Sequence, residues 1–451
     1  MRAYLYLFLV AAAVTYLTTP LVRRMARRIG AITPVRDRDV HAVPVPRMGG
    51  LAMFLGLVAA LLVGSQTSFL GPLFTEQAPW GILLGAGVVC SLGVADDLWD
   101  LDAITKFAGQ ALAAGLMAWQ GVQFVVLPIG GVTIPSFGML FVVSVFVVVV
   151  TINAVNFVDG LDGLAAGIVG IAGSAFFVYS YLLARGANKE DFSSLASMIT
   201  AIMVGCCVGF LPHNFNPARV FMGDAGSMLL GLLLACSTIT ITGKVDPAVL
   251  SELQIAPAFF PLLLPLVVLA VPLVDLAMAV IRRTRAGQKP WHPDKSHLHH
   301  RLLRLGHSHA RAVLLFYLWT AIAAFGVALM AFVPVLTALA LGTAGVIVAL
   351  GITFGPWRRR EVGGLGAPHP PVTSTVLGPA GSGSPSVDAL PTTSGRAVAA
   401  GPVGEASGGT TGGVAGGTTG GVAGGTTGAG TGGQPLVSHQ GPTARRTGHA
   451  R

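Results

Sequence analysis

Residues 137–163 read Phe137-Gly-Met-Leu-Phe-Val-Val-Ser-Val-Phe-Val-Val-Val-Val-Thr-Ile-Asn153-Ala-Val-Asn156-Phe-Val-Asp159-Gly-Leu-Asp162-Gly163, and the class of fold follows from that passage. Its first part is an uncharged apolar run, long enough to cross a hydrocarbon core of about 30 Å. Its second part sets Asn153, Asn156, Asp159 and Asp162 within ten residues, a combination costly at a membrane boundary unless it is used. The passage therefore reads as a membrane helix that stops at a polar boundary. Gly160 and Gly163 mark the stop, because glycine breaks a helix and lets backbone approach a ligand closely.

The same apolar pattern recurs on both sides. Of 451 residues, 53% are hydrophobic and 10% charged, where a soluble domain carries about 25% charged residues. The chain is expected to be an all-α integral membrane protein with about eleven transmembrane helices, near 3–22, 48–66, 80–95, 105–121, 137–155, 163–184, 194–212, 225–243, 257–281, 312–333 and 336–356. The first stretch is followed by Arg23, Arg24, Arg27 and Arg28, flanks that suit a retained span better than a cleaved leader. With the N-terminus outside, the connections on the inner side hold twenty Lys and Arg and the outer ones four. That asymmetry predicts N-terminus out and C-terminus cytoplasmic. The net charge of +9 then reflects anchoring to an anionic inner leaflet, with no nucleic-acid partner. Cys90, Cys206, Cys207 and Cys236 lie in apolar stretches without metal-ligand spacing and act as small core residues.

Residues 1–356 form the membrane domain. Residues 357–451 become rich in Gly, Thr, Ala and Pro, with an eight-residue repeat, GGTTGGVA, beginning at Gly408. Such a segment buries too little apolar surface to offset its chain entropy, and a disordered cytoplasmic tail is expected. On the outer, periplasmic side, Gln123 to Phe137 carries a Pro-Ile-Gly-Gly core between β-favouring runs and reads as a small hairpin.

The chemically capable residues gather on the inner side. All eight histidines before residue 361 fall in expected inward segments, as do ten carboxylates against five outward. Topology alone does not require this, since acidic residues contribute little to orientation. Four groups stand out. Asp96-Asp97, followed by Asp100 and Asp102, sits where the third span ends; on a continuing helix Asp96 and Asp100 would share a face. Adjacent carboxylates repel unless a cation or a shared proton relieves them. The second group, Asn153 to Asp162, offers hard oxygen donors of the kind Mg²⁺ accepts. The third, Phe221-Met-Gly223-Asp224-Ala-Gly226-Ser227, opens the eighth span; Asp224 there is either a helix N-cap or a metal ligand facing phosphate. The fourth is His292 to Arg301, where His297, His299, His300 and Arg301 suit a diphosphate, with zinc as the alternative ligand. Asp275 lies within the ninth span as a further polar residue in lipid.

Five pieces in order resemble the polyprenyl-phosphate N-acetylhexosamine-1-phosphate transferases: Pro44-Val-Pro46-Arg47-Met-Gly49-Gly50, Asp96-Asp97, Asn153 to Gly163, Phe221 to Ser227, and His297-Leu-His299-His300-Arg301. The resemblance covers roughly residues 1–356; the tail has no counterpart in it. It implies attack of a polyprenyl (undecaprenyl or decaprenyl) phosphate on the β-phosphorus of a UDP-N-acetylhexosamine, with UMP leaving and Mg²⁺, or Mn²⁺ in its place, as cofactor. It also implies roles: Asp224 as Mg²⁺ ligand with Asn156 as oxygen partner, and Asp96 and Asp97 orienting or deprotonating the lipid phosphate. Asp159 and Asp162 would contact the nucleotide or the metal shell, Lys106 would neutralise phosphate charge, and Arg47 would bind substrate. His297, His299, His300 and Arg301 would hold the diphosphate or the sugar.

The first loop and the His-Leu-His-His-Arg motif resemble the UDP-GlcNAc branch of that family more than the UDP-MurNAc-pentapeptide branch, which implies UDP-GlcNAc as the donor. The expected setting is the inner (plasma) membrane with the site on its cytoplasmic face, the chain alone or as a homodimer. A transporter is the reading from another class; it predicts related halves and a midplane polar cluster, and the sequence has neither.

Overall fold

The computed structural model describes residues 1–33, 44–125, 136–187, 194–242, 281, 284–285 and 308–354. Within them lie ten α-helices: α1 (Arg2–Ile29), α2 (Gly49–Ser65), α3 (Ala78–Trp99), α4 (Ala103–Trp119), α5 (Phe137–Val158), α6 (Leu164–Ala187), α7 (Leu195–Asn214), α8 (Gly223–Thr242), α9 (His309–Met330) and α10 (Val335–Phe354). Ten of the eleven expected spans thus meet a helix. The ninth, 257–281 with Asp275, lies outside the described residues apart from Ile281. The tail 357–451 and residues 126–135 of the expected hairpin are also outside them. Eight helices are long and apolar enough to cross a membrane; α2 and α4, at 17 residues each, are shorter.

The helix ends have local causes. α1 extends beyond the expected end at residue 22, through Arg23 to Arg28, and closes at Gly30 in the left-handed conformation (φ 80°). Arg27 and Arg28 in its last turn interact favourably with the carbonyl end of the helix. α5 stops at Val158 and α6 starts at Leu164, as the two glycines between them predict; Gly163 takes φ +77°. Within α1, Pro20 has no amide hydrogen, so the Tyr16 carbonyl four residues back loses its helical partner. His213, near the end of α7, supplies one: its Nε2 lies 3.2 Å from that oxygen, and the two rings are 4.8 Å apart.

α8 is the axis of the bundle. It packs against α2, α3, α5, α6 and α7, and 94% of its apolar stretch is buried, against 11% for α10, which leans on α9. Large apolar side chains such as Leu17, Phe146, Leu336 and Ile347 are exposed on the outer helices. In lipid these carry no penalty, and helices there associate through close packing of small residues instead. The sequence supplies those residues where α8 is crossed. A Cβ on Gly93 of α3 would collide with the Ala225 backbone, one on Gly50 of α2 with the Gly226 backbone, and one on Gly231 would stand 2.5 Å from Ile152 Cα of α5.

One strand pairing is described: Ile32–Thr33 (β1) runs antiparallel to Val45–Pro46 (β2). It brings the start of α2 to the segment before α8. Phe221 N donates to Pro46 O at 2.9 Å, and Gly49 N and Gly50 N donate to Phe221 O and Met222 O at 2.9 and 2.8 Å.

Replacing Gly93 by Leu is expected to destabilise the bundle by at least the ~1–3 kcal/mol typical of overpacking, because backbone is what it meets. Gly87→Ala, whose nearest neighbour is the Phe54 ring at 3.7 Å, is expected to be neutral. Thermal unfolding of both variants in detergent checks the pair; equal melting temperatures would contradict the α3–α8 contact.

Candidate active site

The α3–α4 corner is turned by its own carboxylates. α3 ends at Trp99, with Asp100 in the left-handed conformation (φ 48°) as its cap. Asp96 and Asp100 therefore do not share a helical face, because the helix stops between them. Asp96 Oδ1 accepts from Leu101 N at 2.8 Å, and Asp102 caps α4 by accepting from Ile104 N and Thr105 N at 3.0 and 3.1 Å. The corner leaves Asp96 buried and sets Lys106, one turn into α4, over it: Lys106 Nζ is 2.5 Å from Asp96 Oδ2.

Lys106 Nζ also reaches Asp224 Oδ2 at 3.1 Å. The other oxygen of Asp224 accepts from Asn156 Nδ2 at 3.1 Å, and the same Nδ2 stands 2.9 Å from Ser227 Oγ. Asp224 lies in the first turn of α8, where an anion is favoured by the exposed amides of the helix end. Its own amide, however, donates to Asp97 Oδ1 at 3.2 Å. A carboxylate from α3 thus satisfies the start of α8, and the side chain of Asp224 is released from the cap role that the sequence left open. Gly223, at φ +68°, makes that approach practicable; any Cβ there would strike the Asp97 carboxylate.

The second polar group fans out to separate partners. Asn153 donates to Gln110 Oε1 at 2.6 Å, and Asn156 goes to Asp224. Asp159, just past the end of α5, is pushed up to about 8 by burial, with repulsion from Asp224, Asp97 and Asp162 adding to it and Arg47 opposing it. Asp162 is buried and accepts from Asn216 Nδ2 and Ala218 N, each at 3.0 Å. Asn214 completes this clamp, accepting from Gly163 N and donating to Val220 O, both at 3.0 Å. These bonds fix the loop 215–222, which delivers Asp224. Arg47 sits within electrostatic reach of both Asp97 and Asp159. His297, His299, His300 and Arg301 lie outside the described residues.

The donors present suit a hard cation. Asp97 Oδ2 is buried without a hydrogen-bond partner, next to Asp224. Turning the Asn156 amide by 180° would present its oxygen where its nitrogen now stands. Among the described residues no three His, Cys, Asp or Glu close around one point. Mg²⁺ does not require such a cage, since it takes one or two carboxylates and completes its shell with substrate phosphate and water.

Residues 79–242, from the start of α3 to the end of α8, match the model described as glycosyl transferase family 4. A decaprenyl-phosphate N-acetylglucosaminephosphotransferase of Mycolicibacterium smegmatis is 43% identical over 367 residues, 80% of this chain and 90% of that one. Its namesake in Mycobacterium tuberculosis is 42% identical over 358 residues, 78% and 88%. An undecaprenyl-phosphate alpha-N-acetylglucosaminyl 1-phosphate transferase of Haemophilus influenzae is 30% identical over 319 residues, 68% and 82%.

The chain belongs to glycosyl transferase family 4. The resemblance read from the five motifs is borne out. The part matched to glycosyl transferase family 4 contains Asp96, Asp97, Lys106, Asn156, Asp159, Asp162 and Asp224, while Arg47 and residues 297–301 fall beyond it. The structure adds Gln110, Asn214, Asn216 and Ser227 to the polar network. Gln110 had a signal, standing four residues after Lys106 on one helical face. Asn214-Phe-Asn216-Pro217 was also legible as a pair of amides before a proline.

Asp159 gives a test with a definite sign. In the folded chain its carboxyl keeps its proton up to about 8, whereas an unfolded chain releases it near ~4. Ionisation therefore opposes folding progressively between those values. In chelator-treated protein, the gain in melting temperature of Asp159→Asn over wild type is expected to grow from acidic pH toward about 8 and then level off. A gain independent of pH would assign the titration to another group.

Proposed function

We propose that this chain transfers GlcNAc-1-phosphate from UDP-GlcNAc to polyprenyl phosphate, releasing UMP and leaving polyprenyl-diphosphate-GlcNAc, the first membrane step of a cell-wall or surface glycan. The observation that carries this is Asp224, at the mouth of the most enclosed of the described helices, held between the cation of Lys106 and the amide of Asn156 with Asp97 beside it. Relatives with this activity in their names support it, and the mycobacterial ones favour decaprenyl as the lipid. The topology we infer is eleven spans, N-terminus out and C-terminus in, in the inner membrane. The site then faces the cytoplasm, where a nucleotide sugar and a lipid head group meet.

Two phosphate-bearing reactants repel each other, so the site must supply positive charge and position. Mg²⁺, held by Asp224 with Asn156 as oxygen partner, would neutralise the diphosphate during the displacement. Lys106 adds a fixed cation, kept in place by Asp96, whose second oxygen is tied to Leu101 N. Asp97 keeps one oxygen for the α8 amide, and the other would meet the lipid phosphate across a shared proton or the metal ion, which relieves the two negative charges. A phosphate monoester is largely ionised at neutral pH, so orientation is the larger part of that role. One lipid phosphate oxygen bonds to the β-phosphorus as its bridge to the α-phosphate breaks, and UMP carries that bridging oxygen away. Arg47 and Asp159 border the nucleotide side, with His297, His299, His300 and Arg301 assigned to the diphosphate and sugar. Asp162 positions the 215–222 loop through Asn216 and Ala218.

Purified protein with radiolabelled UDP-GlcNAc, decaprenyl phosphate and Mg²⁺ is expected to release UMP and label the lipid. A chelator should abolish labelling, and Asp224→Asn should lower kcat by about 10²-fold or more, the scale seen when one preorganised electrostatic contact is lost. Full Mg²⁺-dependent turnover in a folded Asp224→Asn variant would remove the metal assignment. Labelling only with UDP-MurNAc-pentapeptide would reverse the sugar, and labelling with neither would favour transport.

A further inference from the structure

The transfer chemistry leaves one cluster of cations unused. Tyr16, Pro20, Arg23 and Arg27 follow at steps of four, three and four residues and so share a face of α1. Arg219 joins them from the loop before α8, its amide bonded to His213 O at 2.9 Å. Arg23 is within electrostatic reach of Arg27 and Arg219, and His213 of Arg219 and Arg23. Lys106 takes up Asp96 and Asp224, and neither of these carboxylates serves Arg23, Arg27 or Arg219. Arg23 Nε is, moreover, buried without a hydrogen-bond partner.

Like charges drawn together from two elements repel, and a buried donor without an acceptor is costly. One ligand relieves both: a phosphate, whose oxygens match the planar donor fork of arginine. The surface above the cluster says what carries the phosphate. On the same face of α1, Tyr16 and Leu9 are 48% and 54% exposed. They stand about 10 and 21 Å from Arg23 along the axis at 1.5 Å per residue. An aromatic ring near the head-group level with aliphatic surface beyond it suits a lipid tail.

We propose that Arg23, Arg27 and Arg219 bind the phosphate of an anionic phospholipid whose acyl chain lies along Tyr16 and Leu9 of α1, at a site separate from the Asp96–Lys106–Asp224 network. The ligand is a bilayer lipid and takes no part in the transfer. His213, committed through Nε2 to the Tyr16 carbonyl, ties α1 and α7 together behind the head group.

The full-length protein in detergent, titrated with phosphatidylglycerol or phosphatidylcholine and read by native mass spectrometry, tests this. Wild type is expected to retain phosphatidylglycerol about tenfold more tightly, the scale of a few arginines acting on an anionic head group. Arg23→Gln/Arg27→Gln/Arg219→Gln should lose that preference. So should Arg27→Gln/Arg219→Gln, which leaves Arg23 with its buried Nε in place should the triple variant fail to fold. Both should keep wild-type transfer activity in phosphatidylcholine nanodiscs. Equal retention of the two lipids by wild type, or an undiminished preference in the double variant, would overturn the site. Release of the lipid by millimolar inorganic phosphate would make it a soluble-anion site instead. Loss of activity in phosphatidylcholine would assign these arginines to the transfer machinery and overturn their separateness.

Discussion

A carboxylate at the open end of an enclosed helix has to be balanced, and this protein is organised around balancing Asp224. α8 is surrounded by five other helices, so its first turn faces protein on most sides. The positive end of the helix, the Lys106 ammonium and the Asn156 amide each offset part of the charge. Each comes from a different element, so α4, α5 and α8 must meet at one point for the charge to be tolerated, with α3 closing the start of α8 through Asp97. The small residues that let those helices touch, Gly93 and Gly231 among them, serve the same point at a distance.

Asp97 and Asp224 divide work that either could have done alone. With Asp97 spent on the α8 amide, Asp224 keeps both oxygens for cations and amides, and Asp97 keeps one oxygen uncommitted. Two adjacent carboxylates in sequence, Asp96 and Asp97, end with unlike duties because the corner at Asp100 fixes one against Lys106 and leaves the other facing α8. This is how an enzyme built from few charges can separate holding a site together from acting on a substrate.

The helices were readable because lipid imposes length and apolarity directly on the sequence, and ten expected spans coincide with helices. Residue types at the site were readable too, since Asn and Asp at a membrane boundary have few other uses. Their pairing was less so. Nothing local to Asp97 indicates that it will serve a helix beginning at residue 223, or that Asp162 will be occupied by Asn216 and Ala218. Those contacts join positions 54 to 127 residues apart and depend on how the bundle closes. α1 outruns its expected span for a simpler reason. Arginines end a membrane span without ending a helix, and the backbone runs on to Gly30.

The bonds from Gly49 and Gly50 to Phe221 and Met222 bear on the order in which the protein is made. A chain emerges from the ribosome N-terminus first, so the opening amides of α2 leave it long before the carbonyls they need. Through the synthesis of α3 to α7 those two amides lack the carbonyls they meet in the folded chain. Arrival of the segment before α8 closes the first loop, the α8 start and the Asp97 cap in one event. The Asp97–Asp224 contact therefore forms no earlier than the eighth helix, although Asp96 and Lys106 can pair before it.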